Sequence, residues 1–328
     1  MKKPKVLVTG AAGFIGSHLC EALIKKDFRV RAFVHYNSQH SIGNLRFLAR
    51  RFRSGLELFF GDIQDPGSVK EAVKGCEVVF HLAALISIPY SYQAAASFFN
   101  TNVLGTLNVF QACRESGIQK ILHTSTSEVY GTARYAPIDE NHPLQGQSPY
   151  SASKIGADKI AESFFLSFDL PVVVVRPFNT YGPRQSERAV LPTIILQILK
   201  GKKVLELGSL EPQRDFNYVL DTVRGFLLAA ENDGIIGTEI NIGSGRCYSI
   251  KQTLEIIQDI LGTKLRIRVS RNRKRPPKSE VMKLQCDYSR ANKLLGYHPE
   301  WAFRKGLKET IAFYRKYLAE FEGDSYAI

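Results

Sequence analysis

Two residues of the sequence have the types and spacing of an acid–base pair. In the segment "YSASK", Tyr150 and Lys154 stand four positions apart, so on a helix they share one face. A tyrosine is a poor base at its ordinary pKa of about 10, but a neighbouring ammonium group stabilises the phenolate and lowers that pKa. The spacing therefore predicts a tyrosine that exchanges a proton with a hydroxyl group.

Further chemical groups come from the stretch "HTSTSEVYG", which spans residues 123–131 and continues an apolar, strand-like run. Thr126 is predicted to hydrogen-bond the same substrate oxygen as Tyr150. Glu128 adds a carboxylate among these hydroxyl residues, a group that can take part in proton transfer. The alternative is that Glu128 only caps the adjacent turn.

A glycine-rich turn near the start of the chain predicts a dinucleotide site. "TGAAGFIG" follows an apolar run and opens a helical pattern, and it contains Gly10, Gly13, Phe14, Ile15 and Gly16. Glycines allow a tight turn, and backbone N–H groups at a helix N-terminus can then bind a pyrophosphate. In this strand–turn–helix setting the pattern predicts NAD or NADP, although a purely structural glycine turn would have the same spacing.

The choice between NAD and NADP stays open in the sequence. "FVHYNS" lacks the acidic residue that binds the adenosine ribose at the end of the second strand in NAD-binding folds. His35, Asn37 and Ser38 stand there instead, and with Arg46 they could engage a 2′-phosphate. Further predicted cofactor contacts are Asp62, Ile63, Leu82, Ala83 and Ala84. As an alternative, Asp62 caps its own turn and the two alanines only pack against a helix.

These residues need a scaffold, and apolar strands alternate with amphipathic helices through the first half of the chain. Strands that are nearly continuous Val, Ile, Leu and Phe are typical of a sheet covered on both faces. We therefore predict an α/β fold with a doubly wound parallel (Rossmann) sheet in residues 1–176. Residues 177–328 are predicted to form a smaller mixed α/β substrate-binding lobe, interleaved through a returning strand near 237–245. The substrate is expected in the cleft between them.

The charge favours an anionic small molecule as partner rather than a nucleic acid. The 44 Lys and Arg residues exceed the 31 Asp and Glu residues, which gives a net charge of +13. The densest basic run, "RIRVSRNRKRPPK" at 266–278, has no nucleic-acid-binding signature around it. We interpret it as solvated surface, with some arginines directed toward an anionic substrate.

The sequence also predicts a cytoplasmic protein without a metal site. Its five cysteines are scattered and lack the spacing of a disulfide framework or a zinc site, which favours reduced thiols. The apolar runs are far shorter than the roughly 20 residues that span a bilayer. The start of the chain lacks the apolar core of a signal peptide, so neither a leader nor a membrane partner is expected.

The motifs together resemble one enzyme family over nearly the whole chain. "VTGAAGFIG", "HLAA", "STSEVYG", "YSASK", "RPFNTYGPR" and "QRDFNYV" resemble the extended short-chain dehydrogenases/reductases, in the nucleotide-sugar epimerase/dehydratase group. Within that group, "STSEVYGTA" and "HPLQGQSPYSASKIGADK" are most similar to 4,6-dehydratases of UDP-N-acetylglucosamine. The resemblance implies a tightly bound NAD or NADP that is regenerated in each turnover. It also implies a homodimer formed through helices at 93–116 and 150–168.

The resemblance further implies a reaction: oxidation of the sugar at C4, removal of the C5 proton by Glu128, and loss of the C6 hydroxyl as water. Glucose-type dehydratases carry an Asp where this chain has Ser127, whereas GDP-mannose dehydratases have a serine. The proton for the leaving hydroxyl then comes from Glu128, or through Ser127 and a water. UDP-glucuronate decarboxylases share this Ser–Glu pair, so a decarboxylase or a UDP-hexose 4-epimerase of the same family is the alternative.

The residues that the resemblance assigns to the substrate are Ser87, Thr126, Asn179, Arg188, Leu191, Arg214 and Arg275. Arg214 and Arg275 match the positions that hold the diphosphate and nucleoside, a role that suits the guanidinium fork. For any single arginine, a surface salt bridge is the alternative.

Overall fold

Seven parallel strands form the main sheet of the computed structural model, which describes residues 4–49, 52, 54–270 and 275–321. In spatial order they are β11 (Glu239–Ile242), β6 (Val172–Pro177), β5 (Lys120–Thr124), β4 (Val78–His81), β1 (Lys5–Thr9), β2 (Arg29–His35) and β3 (Leu56–Gly61). The order reverses between β1 and β4, where ligands bind in doubly wound sheets. The predicted Rossmann fold is therefore confirmed. Residues 271–274, within the predicted basic run, lie outside the described residues.

Helices cover both faces of this sheet, which explains why its strands are apolar on both sides. Val8 belongs to the buried cluster that contains α1 (Phe14–Lys25) and α8 (Val219–Glu231). Leu7, the preceding residue, belongs to the cluster on the opposite face, because side chains alternate along a strand. That second face is covered by α2 (Pro66–Val73), α5 (Gly105–Glu115) and α6 (Pro149–Phe168).

The segment predicted as one long helix at 93–116 is divided in the structure. It consists of α4 (Ala95–Phe99), a π-helical turn (Asn100–Leu104) and α5. The side chain of Asn102 in this turn binds the backbone N–H and C=O of Leu85 at 2.8 and 3.0 Å, and it donates to Ser153 Oγ at 2.9 Å. The wider turn thus places one amide between the loop after β4 and helix α6.

The smaller lobe is built from short elements in the second half of the chain. Its strands are β7 (Thr180–Tyr181), β8 (Val204–Leu207), β9 (Gln213–Asp215), β10 (Asn217–Tyr218), β12 (Cys247–Ser249), β13 (Arg266–Val269) and β14 (Lys283–Leu284), and its helices are α7 (Val190–Leu199), α9 (Ile250–Leu261), α10 (Ser289–Leu295) and α11 (Phe303–Lys316). Strand β11 lies at the edge of the main sheet, beside β6. The proposed domain boundary at 176/177 stays a prediction.

A buried carboxylate joins the lobe to helix α8, which covers the main sheet, and an aromatic stack packs within the lobe. Asp221, in the first turn of α8, accepts hydrogen bonds from the backbone N–H groups of Glu300 and Trp301 at 3.0 Å each. Phe216 stacks on Phe303 with ring centroids 5.4 Å apart. Because these contacts hold the lobe beside the carboxyl ends of the strands, they shape the cleft described next.

Candidate active site

A cavity of about 1380 Å³ follows the carboxyl ends of the main strands and continues along the smaller lobe. Most of the residues predicted from the sequence line it together: Gly10, Gly13, Phe14, Ile15, Gly16, His35, Leu82, Ala83, Ala84, Ser87, Thr126, Ser127, Glu128, Tyr150, Lys154, Asn179, Arg188, Leu191, Arg214 and Arg275. One cavity thus joins the predicted cofactor, catalytic and substrate residues.

Four predicted cofactor residues, Asn37, Ser38, Asp62 and Ile63, are not among the residues that line this cavity. The Asn37 amide bonds the backbone of its own loop. Asp62 accepts from the N–H of Gln64 at 2.9 Å, the turn-capping alternative considered above. Ile63 is buried in the core beneath α5. Their roles with a cofactor stay predictions.

The glycine turn has the shape of a dinucleotide cradle. A Cβ on Gly10, whose φ is +67°, would lie 2.8 Å from the backbone N of Ala83, and a Cβ on Gly16 would lie 2.2 Å from the Gly10 oxygen. Helix α1 begins after Gly13 with no side-chain cap and no acidic residue in its first turn. Its N–H groups and positive dipole end are therefore available at the cavity, and they fit the pyrophosphate of NAD or NADP.

Thr126, Glu128 and Tyr150 meet where β5 ends. Thr126 precedes the 3₁₀ turn Ser127–Tyr130, and its hydroxyl accepts from the N–H of Glu128 at 3.3 Å. Tyr150 lies close enough to the same hydroxyl for that hydroxyl to lower the pKa of its phenol. Glu128 is buried and lies close enough to influence the tyrosine electrostatically. A hydroxyl, a phenol and a carboxylate therefore share one wall of the cavity.

Local sequence explains why Tyr150 lies at the start of its helix. Ser148 and Ser151 form a capping box, in which each side chain binds the other residue's backbone N–H, at 3.1 and 2.9 Å. Pro149 occupies the first helical position, where its missing N–H costs nothing. Helix α6 therefore begins here, and Tyr150 lies in its first turn beside the end of β5.

Lys154 is buried one turn further along α6. Its Nζ donates to the carbonyl of Thr124 at 2.7 Å. Burial lowers the pKa of Lys154 to about 8, and the negative charge of Asp158 opposes that change. Asp158, on the next turn, accepts from Ser125 Oγ at 2.8 Å and from Arg176 at 3.2 Å. The lysine thus depends on one buried carboxylate to remain charged.

The structure differs from the expectation that Lys154 lowers the pKa of Tyr150. Burial raises the pKa of Tyr150 above its ordinary value, the charge of Glu128 adds to the rise, and the hydroxyl of Thr126 opposes it. The ammonium of Lys154 is directed at the Thr124 carbonyl instead. In the protein alone, Tyr150 is therefore a protonated phenol.

Two of the three predicted substrate arginines, Arg214 and Arg275, share a carboxylate. We name residues 275–281 the clamp loop. Arg275 Nη1 lies 3.6 Å from Glu280 Oε1 and 3.9 Å from Glu128 Oε2, and Arg214 Nη2 lies 3.5 Å from the same Glu280 oxygen. Nearby, Asn179 Oδ1 is buried without a hydrogen-bond partner. Two cations at the cavity thus suit a diphosphate, and the Asn179 oxygen can accept a hydrogen bond from a substrate hydroxyl.

The sequence analysis missed Glu280 and Asp158. Asp158 continues the four-residue spacing of Tyr150 and Lys154, so this helical series is the signal that could have identified it. Glu280 follows Arg275 by five residues in a loop, where no periodicity indicates which side chains meet. Only the path of the clamp loop brings Glu280 between the arginines.

A metal-binding cluster and a membrane-spanning helix are both absent from the described ranges. No group of three or more His, Cys, Asp or Glu there could hold a metal ion. None of the helices in those ranges has both the length and the apolar character needed to cross a membrane.

Comparisons with known proteins agree with this geometry. Residues 7–310 match the family model described as GDP-mannose 4,6 dehydratase. A dTDP-glucose 4,6-dehydratase of an Actinoplanes species is 35% identical, over 95% of this chain and 98% of the relative. A UDP-N-acetyl-alpha-D-glucosaminuronate decarboxylase of Bacillus cytotoxicus is 31% identical, over 96% and 98%. The crystal structure of UDP-glucuronic acid 4-epimerase from Bacillus cereus, with UDP-glucuronic acid and NAD, superposes with a TM-score of 0.88 at 30% identity, covering 95% of this chain and 99% of the other.

The lowered pKa of Lys154 predicts how stability depends on pH. Between about pH 8 and the ordinary lysine value of 10.5, the unfolded chain holds the proton and the folded chain does not, so stability rises with pH. Lys154→Met lacks this contribution. Its advantage over the parent should therefore be largest near neutral pH and shrink by at most about 1.4 kcal/mol per pH unit above pH 8.

Urea unfolding curves of the parent and of Lys154→Met, recorded at a series of pH values, measure this difference. Lys159→Met, which removes an exposed lysine from the same helix, is the matched control and should give a difference that does not vary with pH. A constant difference for Lys154→Met as well would contradict the assigned pKa.

Proposed function

The chain belongs to the GDP-mannose 4,6-dehydratase family of extended short-chain dehydrogenases/reductases, whose members are NAD-dependent enzymes that modify nucleotide sugars. From this premise we propose that it is a nucleotide-sugar 4,6-dehydratase, with UDP-N-acetylglucosamine as its preferred substrate. The observation that carries the proposal is the carboxylate of Glu128 beside Thr126 and Tyr150. The preference for UDP-N-acetylglucosamine is supported by the similarity of the motifs around these residues.

Each of these three side chains has a task in the proposed reaction. The glycine turn at residues 10–16 would hold the NAD, whose nicotinamide would supply the hydride transfer that oxidation at C4 and reduction at C6 require. Tyr150, whose phenol the positive charge of an oxidised nicotinamide would ionise, would then take the proton of the C4 hydroxyl, and Thr126 would hydrogen-bond the same oxygen. Once C4 is a ketone, Glu128 removes the acidified C5 proton. The C6 hydroxyl departs with a proton, so the net change is loss of water.

The leaving hydroxyl needs an acid, and we propose that Glu128 serves again. A serine hydroxyl such as that of Ser127 does not hold a titrating proton at neutral pH. Glu128, after taking the C5 proton, carries one and lies on the same wall. Returning it to the C6 oxygen balances the elimination without a second titrating residue. The alternative is that Ser127 relays a proton to the C6 oxygen through a water.

A second candidate function has its own support. Arg275 lies 3.9 Å from the Glu128 carboxylate, so a guanidinium is within reach of the reacting part of a sugar. An arginine in that position could hold a substrate carboxylate, as a uronate decarboxylase requires. A C4 epimerase needs only the hydride steps and would leave Glu128 without a task.

We further propose NAD rather than NADP as the cofactor. A 2′-phosphate needs cationic or amide groups that are free to turn toward it. The Asn37 amide bonds its own loop, and Arg46 pairs with Glu320 at 2.9 Å and stacks over Phe47. These engagements favour a ribose without the phosphate.

A cytoplasmic homodimer is part of the proposal. The free cysteines support a reducing compartment. On the helices predicted to form the interface, several large apolar side chains are exposed, among them Leu104 at 51% and Leu166 at 72%. Exposed apolar surface on neighbouring helices is typical of an interface between subunits.

The proposed reaction predicts a product lighter than the substrate by one water. We expect this mass after incubation with UDP-N-acetylglucosamine and no added reductant, because the cofactor is regenerated. Mass spectrometry across a panel of UDP-, dTDP-, GDP- and CDP-hexoses and UDP-glucuronate measures the outcome. Release of carbon dioxide would identify a decarboxylase, and a product of unchanged mass with inverted C4 an epimerase. An unaltered panel would reject the proposal.

Glu128→Gln should stop the reaction after the first oxidation. Turnover should fall by at least about 100-fold, because the amide cannot accept the C5 proton. Acid-quenched enzyme should then contain a keto sugar that is two hydrogen atoms lighter than the substrate. Tyr150→Phe is the matched control, since it should block formation of the keto sugar itself. Parental turnover by Glu128→Gln would show that the glutamate is not the base.

Leu104→Glu and Leu166→Glu should convert the proposed dimer to monomers, because each buries a charge in the interface. Leu220→Glu, at a position on α8 that is also exposed, should leave the dimer intact. Sedimentation velocity measures the molar mass of all three. A dimer that persists in both helix variants would place the interface elsewhere.

A further inference from the structure

Gln147 lies where three parts of the structure meet. They are the 3₁₀ turn Ser127–Tyr130, which we name the catalytic turn, the clamp loop and helix α6. It immediately precedes Ser148, the cap of α6. Its Oε1 accepts the backbone N–H of Thr132, two residues after the 3₁₀ turn that carries Glu128. Its Nε2 donates to the carbonyl of Lys278 in the clamp loop at 3.0 Å. The oxygen of the Gln147 amide is therefore bonded to the segment after the catalytic turn, and its nitrogen is bonded to the clamp loop.

The absence of a side chain at Gly131 leaves room for the Gln147 amide. Gly131 has a φ of +63°, and a Cβ there would lie 2.6 Å from Gln147 Oε1 and 2.9 Å from the carbonyl of Gln145. The N–H of Gln145 also donates to the carbonyl of Val129 at 2.7 Å. The glycine that ends the catalytic turn thus permits residues 145–147 to run directly against residues 129–132.

A second side chain extends the junction to the segment after β4. Tyr92, just after α3 (Ile88–Ser91), bonds Ser279 Oγ with its hydroxyl at 2.7 Å. Ser279 Oγ in turn donates to the carbonyl of Gln147. The clamp loop is therefore bonded both to the segment that carries Tyr92 and to Gln147.

We propose that Gln147 is a positioning residue that couples occupation of the clamp loop to the placement of Glu128. The inference rests on the proposed function for the role of Glu128, but the mechanical coupling can be tested without turnover. A diphosphate drawn in by Arg275 displaces the clamp loop, whose Lys278 carbonyl is held by Gln147. The same amide holds Thr132 and with it the catalytic turn. Substrate binding thereby orders the base at the moment when it is needed.

Two variants separate coupling from local support. Gln147→Glu retains an oxygen that accepts from Thr132 but loses the N–H that donates to Lys278, so it breaks only that side-chain bond, while the bond from Ser279 to the residue-147 carbonyl remains in every variant. Gln147→Ala breaks both bonds. Gln119→Glu, an exposed glutamine at the opposite end of β5, controls for the added charge. Tyr92→Phe removes only the bond to Ser279.

Hydrogen–deuterium exchange followed by mass spectrometry reads the coupling directly. UDP, dTDP, GDP and CDP are each added to the parent, and at least one should slow exchange in residues 275–281 and also in 127–132. In Gln147→Glu, the same nucleotide should slow exchange only in 275–281. Tyr92→Phe and Gln119→Glu should behave as the parent does in 127–132.

Steady-state kinetics on the substrate found in the hexose panel gives the second readout. Gln147→Glu and Gln147→Ala should lower kcat by about tenfold, the effect of losing one or two hydrogen bonds, with KM nearly unchanged. The keto sugar should accumulate, as in Glu128→Gln. Protection of 127–132 that persists in Gln147→Glu, or nucleotides that leave 127–132 of the parent unaltered, would overturn the coupling. A parent that releases no water while the exchange pattern holds would reject the proposed function and leave the coupling intact.

Discussion

The buried carboxylate of Asp158 is the interaction on which the site depends. It binds Arg176 on β6 and Ser125 at the end of β5 from a position on α6, so three elements converge on one charge. Lys154 and Tyr150 stand one and two turns earlier on the same helical face. Fixing Asp158 against the sheet therefore fixes the height and rotation of both catalytic side chains. Without this anchor, α6 could slide along the sheet and carry Tyr150 away from Thr126.

The same anchor has an electrostatic consequence. Lys154 is buried, and burial alone favours its neutral form. Burial would likewise raise the pKa of Asp158, but the His123 ring, 3.4 Å from one of its oxygens, and the charge of Arg176 lower it. The negative charge of Asp158, one turn from Lys154, therefore stabilises the ammonium form of this lysine in its buried environment. The phenol of Tyr150 has no such help from the protein, so the chain alone holds it protonated.

The part of the cavity that carries Arg214 and Arg275 is organised by ion pairs. Arg214 and Arg275 are close together, and Glu280 reduces their mutual repulsion by pairing with both. Distances of 3.5 and 3.6 Å leave these pairs loose, so an incoming diphosphate can compete for the cations. Arg275 also lies near Glu128. The arginines that would bind the diphosphate therefore interact electrostatically with the catalytic carboxylate, in addition to the link through the hydrogen bonds of Gln147.

The sequence by itself determined the parts of this protein that depend on local spacing. The glycine turn, the Tyr150–Lys154 pair and the alternation of strands and helices are read within a few residues, because backbone sterics and helical periodicity act over that range. Only the tertiary structure decided which distant groups meet. Glu280 lies between two arginines, Gln147 reaches Lys278, and the Asn37 side chain bonds its own loop, since loop paths have no period from which such contacts follow. The π-helical turn at Asn102 depends in the same way on Leu85 and Ser153, partners supplied by packing rather than by neighbouring sequence.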